Sequence, residues 1–269
     1  LPICCGQHVA TVNTADTNVR QLAQMMVGGD AEFSVTNKHT HEPGKIIYEV
    51  KNLTTDNKLG KEVVSDVSFS IREGEILGVA GVEGNGQSEL VKLLTGLMIP
   101  TKGQVLFNDI DITNAWPREL RERGIGIIPE DRYAEGLCRT MTLTENVICG
   151  YHYAPDVSKK SGLLRVVRCR DKRDELIENY DIRVADANGT IDQLSGGNAQ
   201  KVIVGRELDR QPSFIIASQP TRGVDISSTK FIHNQFLEKK CENTAVLLVS
   251  SDLNELMTIS DRIVVMYKG

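Results

Sequence analysis

No stretch of this chain reaches the roughly 18 consecutive apolar residues that a membrane-crossing helix needs, so nothing in it is expected to span a bilayer. The first residues, Leu1-Pro2-Ile3-Cys4-Cys5-Gly6, carry no charged leader and no long apolar run, and they are not expected to form a signal peptide. A starting Met is also missing, which points to a fragment or a processed piece. A basic excess is absent. Lys and Arg number 31 against 36 Asp and Glu, for a formal net charge of −5. That argues against a general nucleic-acid binder and leaves a local phosphate site open. Cysteine is scarce, with six in 269 residues. Cys4 and Cys5 are adjacent, while Cys138, Cys149, Cys169 and Cys241 lie far apart, so neither a disulfide framework nor a CxxC zinc pair is present. They read as ordinary cysteines of a reducing compartment. Internal repeats and low-complexity tracts are lacking as well.

What is there fits a globular protein. The 29.7 kDa chain is 40% hydrophobic and 25% charged, enough for one large domain or two small ones. Residues 8–13 alternate loosely as a strand. Thr17 and Asn18 then precede a helical face of Val19, Leu22, Ala23 and Met26, which Gly28-Gly29 stops. Residues 30–44 are polar and read as a solvated linker; no carboxylate or Cys cluster supports His39 and His41 as metal ligands. Strands are expected at 46–51, 63–71, 75–80, 104–107, 125–128, 214–217, 245–249 and 263–267. In the second of these, Val63, Val67, Phe69 and Ile71 alternate with polar residues. Helices are expected near 87–97, 116–123, 198–209 and 227–240, and residues 141–180 turn helical and charged. Strands alternating with helices predict an α/β fold with a mostly parallel central sheet.

Between the strand at 75–80 and the helix at 87–97 runs Gly81-Val82-Glu83-Gly84-Asn85-Gly86-Gln87-Ser88. It matches the phosphate-loop pattern G-x-x-x-x-G-K-[ST], except that Gln87 stands at the Lys position. Glycines let the backbone curl so that N–H groups point at phosphate oxygens, and the helix behind them favours negative charge. The Ser88 hydroxyl is suited to ligate Mg²⁺. A glycine-rich turn without a ligand remains the other reading of this segment. A charged Lys contact to phosphate is worth roughly 1.5–3 kcal/mol and a neutral amide roughly 0.5–1.5. Nucleotide binding is therefore expected to survive weakened, with little left to stabilise a transferring phosphoryl group.

Leu194-Ser195-Gly196-Gly197-Asn198-Ala199-Gln200-Lys201 is more specific. With it the chain resembles the ATPase domain of ABC transporters, where LSGG-x-Q is the signature loop that grips the γ-phosphate held by the opposite domain. The resemblance covers residues 46–269. It implies a P-loop NTPase core with a mostly parallel sheet, an antiparallel β subdomain and a helical subdomain at about 130–205. The segment Ser218-Gln219-Pro220-Thr221-Arg222-Gly223-Val224-Asp225 resembles the Walker B end and D-loop, with Ser218 at the Mg²⁺-holding Asp and Gln219 at the catalytic Glu. An amide cannot accept a proton as a carboxylate does. Ser251 falls at the switch His, and Glu130 stands where the Q-loop Gln is usual. Tyr48 is a poor candidate for adenine stacking. No intact catalytic residue is thus expected among Ser218, Gln219, Ser251 and Glu130, whereas the signature and the D-loop Asp225 are retained.

Since such domains pair head to tail, the resemblance implies a half that completes its partner's ATP site while hydrolysing little itself. ATP and Mg²⁺ are the implied cofactors, weakly held or absent here. Gly-Val-Glu-Gly-Asn-Gly-Gln-Ser, Pro-Glu-Asp-Arg, Ser-Gly-Gly-Asn-x-Gln-Lys and Gln-Pro-Thr-Arg-Gly resemble the second half of tandem ATPases of simple-sugar and nucleoside importers, nearer the nucleoside branch. Residues 1–44 then read as the end of the preceding half plus linker, and 45–269 as the ATP-binding domain. Implied partners are that preceding half, transmembrane permease subunits and, indirectly, a solute-binding protein, with no nucleic acid. The expected location is cytoplasmic, on the inner face of the membrane. Lys159, Lys160, Arg165, Arg168, Arg170, Lys172 and Arg173 could meet a permease or anionic lipid, or form a solvated face. Two other readings stay open: a nucleotide-sensing regulatory module, and a soluble twin-ABC protein outside transport.

Overall fold

The computed structural model describes residues 42–57 and 59–269, together with residues 3, 4, 7, 8, 11, 13, 16, 17, 21 and 37 of the first part. The chain divides into two compact units, 1–36 and 37–269. In the first, β1 (Ile3–Cys4) pairs antiparallel with β2 (Gln7–His8). Most of the expected strand at 8–13, the helical face from Val19 to Met26 and the linker histidines lie outside the described residues.

The second unit holds two sheets. β3 (Ile46–Asp56), β4 (Glu62–Arg72), β6 (Lys102–Phe107) and β7 (Ile110–Asp111) form an antiparallel sheet of order β4-β3-β6-β7. β5 (Ile76–Ala80), β8 (Ile125–Ile128), β9 (Phe214–Ser218), β10 (Ala245–Val249) and β11 (Arg262–Val265) form a parallel sheet of order β11-β5-β10-β9-β8. Every residue of β5, β8, β9 and β10 is buried. Their unbroken apolar runs are what strands covered on both faces require. This is the P-loop type of α/β architecture, with a parallel core, an antiparallel β subdomain and helices.

α1 (Gln87–Leu94) buries Leu90, Val91, Leu93 and Leu94 in a core shared by both sheets. Tyr48 lies wholly inside that core, stacked on Phe214 at 4.2 Å between ring centroids. It is a packing residue and cannot face a base. α2 (Pro117–Glu122) starts on a proline, and the Glu119 carboxylate accepts the Trp116 N–H. The charged stretch expected at 141–180 is two helices, α3 (Leu143–Ile148) and α4 (Val166–Asn179), with a turn-rich link between them. α5 (Gly196–Leu208), α6 (Ile226–Cys241) and α7 (Leu253–Ile259) complete the unit.

Periodicity misplaces one strand face. In β4, Val64 is fully buried while Val63 is only half-buried. The pairing with β3 slips along this stretch, and Asp66 and Asn52 both have positive φ and bond to each other at 2.7 Å. Such irregularities shift the inward set by one residue. Of the basic run, Lys172 pairs with Asp156 at 3.0 Å and Arg173 with Asp174 at 2.8 Å. Those two cations are therefore spent within the fold.

One buried ionic cluster ties the helical part to the parallel sheet. Glu207, fully buried on α5, accepts from the Ile127 N–H at 3.2 Å and the Tyr151 hydroxyl at 2.7 Å. Arg206 pairs with it at 3.1 Å and donates to the carbonyls of Gly136 and Asn146. Burial, and then the nearby carboxylate, push the Tyr151 phenol up. Replacing Glu207→Ala leaves Arg206 buried and unpaired. It is expected to lower stability by about 3–5 kcal/mol, read as a fall in urea midpoint with an unchanged slope.

Candidate functional site

Parallel pairing delivers the site. Val249 is level with both Val79 and Ser218, and Ile128 is level with Ala217. The loops leaving β5, β8, β9 and β10 therefore emerge on one edge, where ligands of open α/β sheets bind. They carry the residues 81–86, Glu130, Gln219 and Ser251.

The glycine-rich loop is a pre-shaped turn. Asn85 bonds the Val82 carbonyl from its amide N–H at 3.3 Å and its side chain at 2.8 Å. The Asn85 side-chain oxygen accepts from Lys268 N–H at 2.9 Å, its carbonyl from Gly269 N–H at 3.0 Å. Gly86 has φ of 100°, and a side chain there would strike the Val63 carbonyl, so only glycine fits. It caps α1 without a side-chain bond, leaving that helix end to outside acceptors. Gly84 opens onto free space. Gln87 does not reach outward: its amide packs over Gly81 and donates to Val82 O at 3.3 Å.

Ser88, Glu130 and Arg222 form a chain across the loop. The Ser88 hydroxyl donates to Glu130 Oε2 at 2.8 Å, and Arg222 donates to Glu130 Oε1 at 3.0 Å. Arg222 also lies 4.0 Å from Glu83. A cavity of about 470 Å³ is lined by Ser88, Glu130, Arg132 and Arg222, among others. Ser88 and Glu130, bonded to each other beside the loop, are oxygen donors that would suit Mg²⁺, which takes one or two carboxylates plus substrate phosphates.

At the end of β9, Ser218 is buried, and Gln219 takes a positive φ of 48°. Its side-chain oxygen accepts from both the backbone and the hydroxyl of Ser251, each at 3.2 Å. An amide closed on a serine supplies no proton acceptor of carboxylate strength. Among the described residues no three His, Cys, Asp or Glu side chains gather as a metal site.

Residues 194–200 open α5. Ser195 is its N-cap and exposed, accepting from the Asn198 N–H at 3.4 Å and the Asn198 side chain at 3.0 Å. Leu194 is half-buried and Gln200 is buried, so Ser195, Gly196 and Asn198 are the members open to a ligand. A side chain at Gly197 would strike the Asp225 carboxylate and the Ser228 hydroxyl. That close approach sets the starts of α5 and α6 side by side. A second cavity, about 300 Å³, is lined by Arg183, Ser195, Asn198, Lys201 and Asp225.

The structure thus gathers the expected residues into two places, the loop with Ser88 and Glu130, and the loop at 194–198 with Asp225. Two members escaped the sequence reading. Arg222 and Arg132 sit inside recognised segments, but nothing in their spacing says where a long side chain will point.

The family model described as "ABC transporter" matches residues 64–222. The nucleoside import ATP-binding protein NupA of Lactococcus lactis is 40% identical over 264 residues, covering 98% of this chain and 52% of that protein. The guanosine import ATP-binding protein NupO of Bacillus subtilis is also 40% identical, with 98% and 51% covered. The glucose import ATP-binding protein TsgD13 of Haloferax volcanii is 37% identical, with 98% and 48% covered. The chain spans about half the length of these curated relatives. A nucleotide-free ATP-binding cassette from an ABC transporter superposes with a TM-score of 0.71 at 25% identity, covering 84% of this chain and 89% of that one.

Asp225 caps α6 through Ser228 N–H at 3.0 Å, and the Ser227 and Ser228 hydroxyls bond it too. Burial opposes the charge, but these bonds outweigh it and hold the carboxyl below the usual range. Its contribution is complete above the unfolded value of about 3.9 and is lost as pH falls through the lower folded value. Asp225→Ala is expected to cost about 1 kcal/mol near neutrality. In urea titrations the gap from the parent should close only in acid.

Proposed function

The chain belongs to the ABC transporter family, and from that premise we propose that it is the second ATP-binding half of a tandem importer ATPase for nucleosides or simple sugars, presenting its 194–200 loop to the nucleotide held by the other half. The importer class is supported by the relatives at 37–40% identity, which are nucleoside, guanosine and glucose import ATP-binding proteins. The nucleoside branch is favoured by the two at 40%. Matching half of each relative supports residues 45–269 as one ATP-binding domain and 1–44 as the tail of a preceding one.

One observation carries the division of labour. On the strand edge, Gln87 is folded onto its own loop and Gln219 is closed on Ser251, while Ser195 stays exposed at the start of α5. The glycine-rich loop can still cradle phosphate through backbone N–H groups and the α1 terminus. Ser88 and Glu130 would hold Mg²⁺ with the phosphates. Bound Mg²⁺ neutralises phosphate charge. Gln219, closed on Ser251, offers no carboxylate to take a proton from water, and Gln87 brings no charge to a departing phosphoryl from the loop. Nucleotide held here would persist unhydrolysed.

At the other face, the Ser195 hydroxyl and the free N–H groups opening α5 suit a γ-phosphate brought by a facing half. No described helix is long and apolar enough to cross a membrane. On this reading the membrane path is supplied by permease subunits, fed by a solute-binding protein. Attachment to them would keep the chain on the inner face of the membrane.

The isolated chain is expected to show no ATP turnover above background; robust turnover would contradict the proposal. In calorimetric titration with Mg-ATP, Gln87→Lys should tighten binding by about 1 kcal/mol, roughly fivefold. Unchanged affinity would mean that phosphate does not lie on this loop.

A further inference from the structure

Four segments distant in sequence are joined in one line from the glycine-rich loop to the start of α5. Ser88 donates to Glu130 at 2.8 Å, and Arg222 donates to the other oxygen of Glu130 at 3.0 Å. The Arg222 carbonyl accepts from Arg132. Arg132 then donates its other terminal nitrogen to the Gly196 carbonyl at 2.7 Å. All four links have a charged group on one side or both, the strong kind of hydrogen bond.

Arg132 is aimed by its own turn. It opens a single π-turn, Arg132–Gly136, whose N-cap Asp131 accepts from Tyr133 N–H at 2.9 Å and Ala134 N–H at 3.0 Å. Those two backbone bonds hold the Asp131 carboxyl below its usual range. The partners leave room: side chains at Gly196 or Gly223 would stand 3.3 and 3.4 Å from the guanidinium nitrogens. π-turns of this kind often mark functional positions.

We infer that Arg132 is a positioning residue for the 195–198 loop, and that it carries the state of Ser88 and Glu130 to that loop through Arg222. A ligand that takes the Ser88 hydroxyl or the Glu130 carboxylate releases Arg222. The segment 219–225 then relaxes, and the carbonyl that anchors Arg132 moves with it. Occupancy of one nucleotide face is thereby felt at the other, within a single chain. The functional meaning of this coupling rests on the proposed role of the 194–200 loop, but the coupling itself does not.

The test needs no nucleotide, so its outcome is separable from the binding proposal above. Amide hydrogen exchange at residues 195–198 is measured in the parent chain, Arg132→Gln, Arg132→Lys, Glu130→Ala, Ser88→Ala and the Glu130→Ala/Arg132→Gln double variant. Thermal melting checks that each is folded. Arg132→Gln should speed exchange there by about tenfold or more, the scale of losing one charged bond. Arg132→Lys, which can keep one carbonyl contact, should fall between. Glu130→Ala should act in the same direction and add nothing in the Arg132→Gln background, the mark of two residues on one line. Should Glu130→Ala fail to fold, Ser88→Ala carries the same expectation. Parent-like exchange in Glu130→Ala and Ser88→Ala, or effects that simply add, would overturn the inference.

Discussion

Val79, Val249 and Ser218 stand level on three neighbouring parallel strands, and Ile128 is level with the residue before Ser218. That register is set by burial. All four strands are buried along their whole length and apolar but for Ser218, and a slip would put a loop residue into the core or an isoleucine out of it. Its consequence is chemical. Four loops from distant parts of the sequence leave the sheet on one edge, and every polar group of the site is borne by one of them or by a helix that follows. The antiparallel sheet and α1 close the core on the other side; Gly86 against Val63 of β4, and Asn85 against residues 268–269 beyond β11, fix the height of the glycine-rich loop.

On that edge, small polar groups are folded inward and one arginine pair bridges outward. Gln87 lies on Gly81, and Gln219 lies on Ser251. Neither is free to meet a ligand without breaking a bond it already has. Arg222 and Arg132, in contrast, connect the loop containing Glu130 to the start of α5. Buried charge does similar work deeper in, where Glu207 and Arg206 join α5 to β8 and to the turn at Tyr151. The helix that opens with Ser195 is therefore anchored at both of its ends to the segment 127–136. On the proposed reading, a half that does not hydrolyse its own nucleotide still has a reason to keep this framework, because the framework sets the loop it presents to its partner.

Much of this was legible from residues alone. Continuous apolar runs placed β5, β8, β9 and β10 within a residue or so, because their burial is total and local. β4 was half right: the alternation found the strand, but the bulge facing Asn52 and Asp66 moved Val64 inward. α7 went unread, since its seven residues bury only Glu255, Leu256 and Ile259 and give no full helical stripe. The loop 81–88 and the segment 194–201 were recognisable as motifs because glycine spacing reports backbone shape directly. Arg132 and Arg222 were not, because a flexible side chain's target depends on how loops meet across the sheet edge. Lys172 and Arg173 looked like surface charge and proved to be paired inside the fold, for the same reason.

The central proposal is that the 194–200 loop, and not the glycine-rich loop, is where this chain contributes to turnover. It is tested most directly in the full two-half protein assembled with its permease, by measuring ATP turnover after Ser195→Arg. Turnover is expected to fall about a hundredfold, the scale of losing a donor to transition-state charge, with nucleotide still bound by the other half. Turnover equal to the parent's would contradict it.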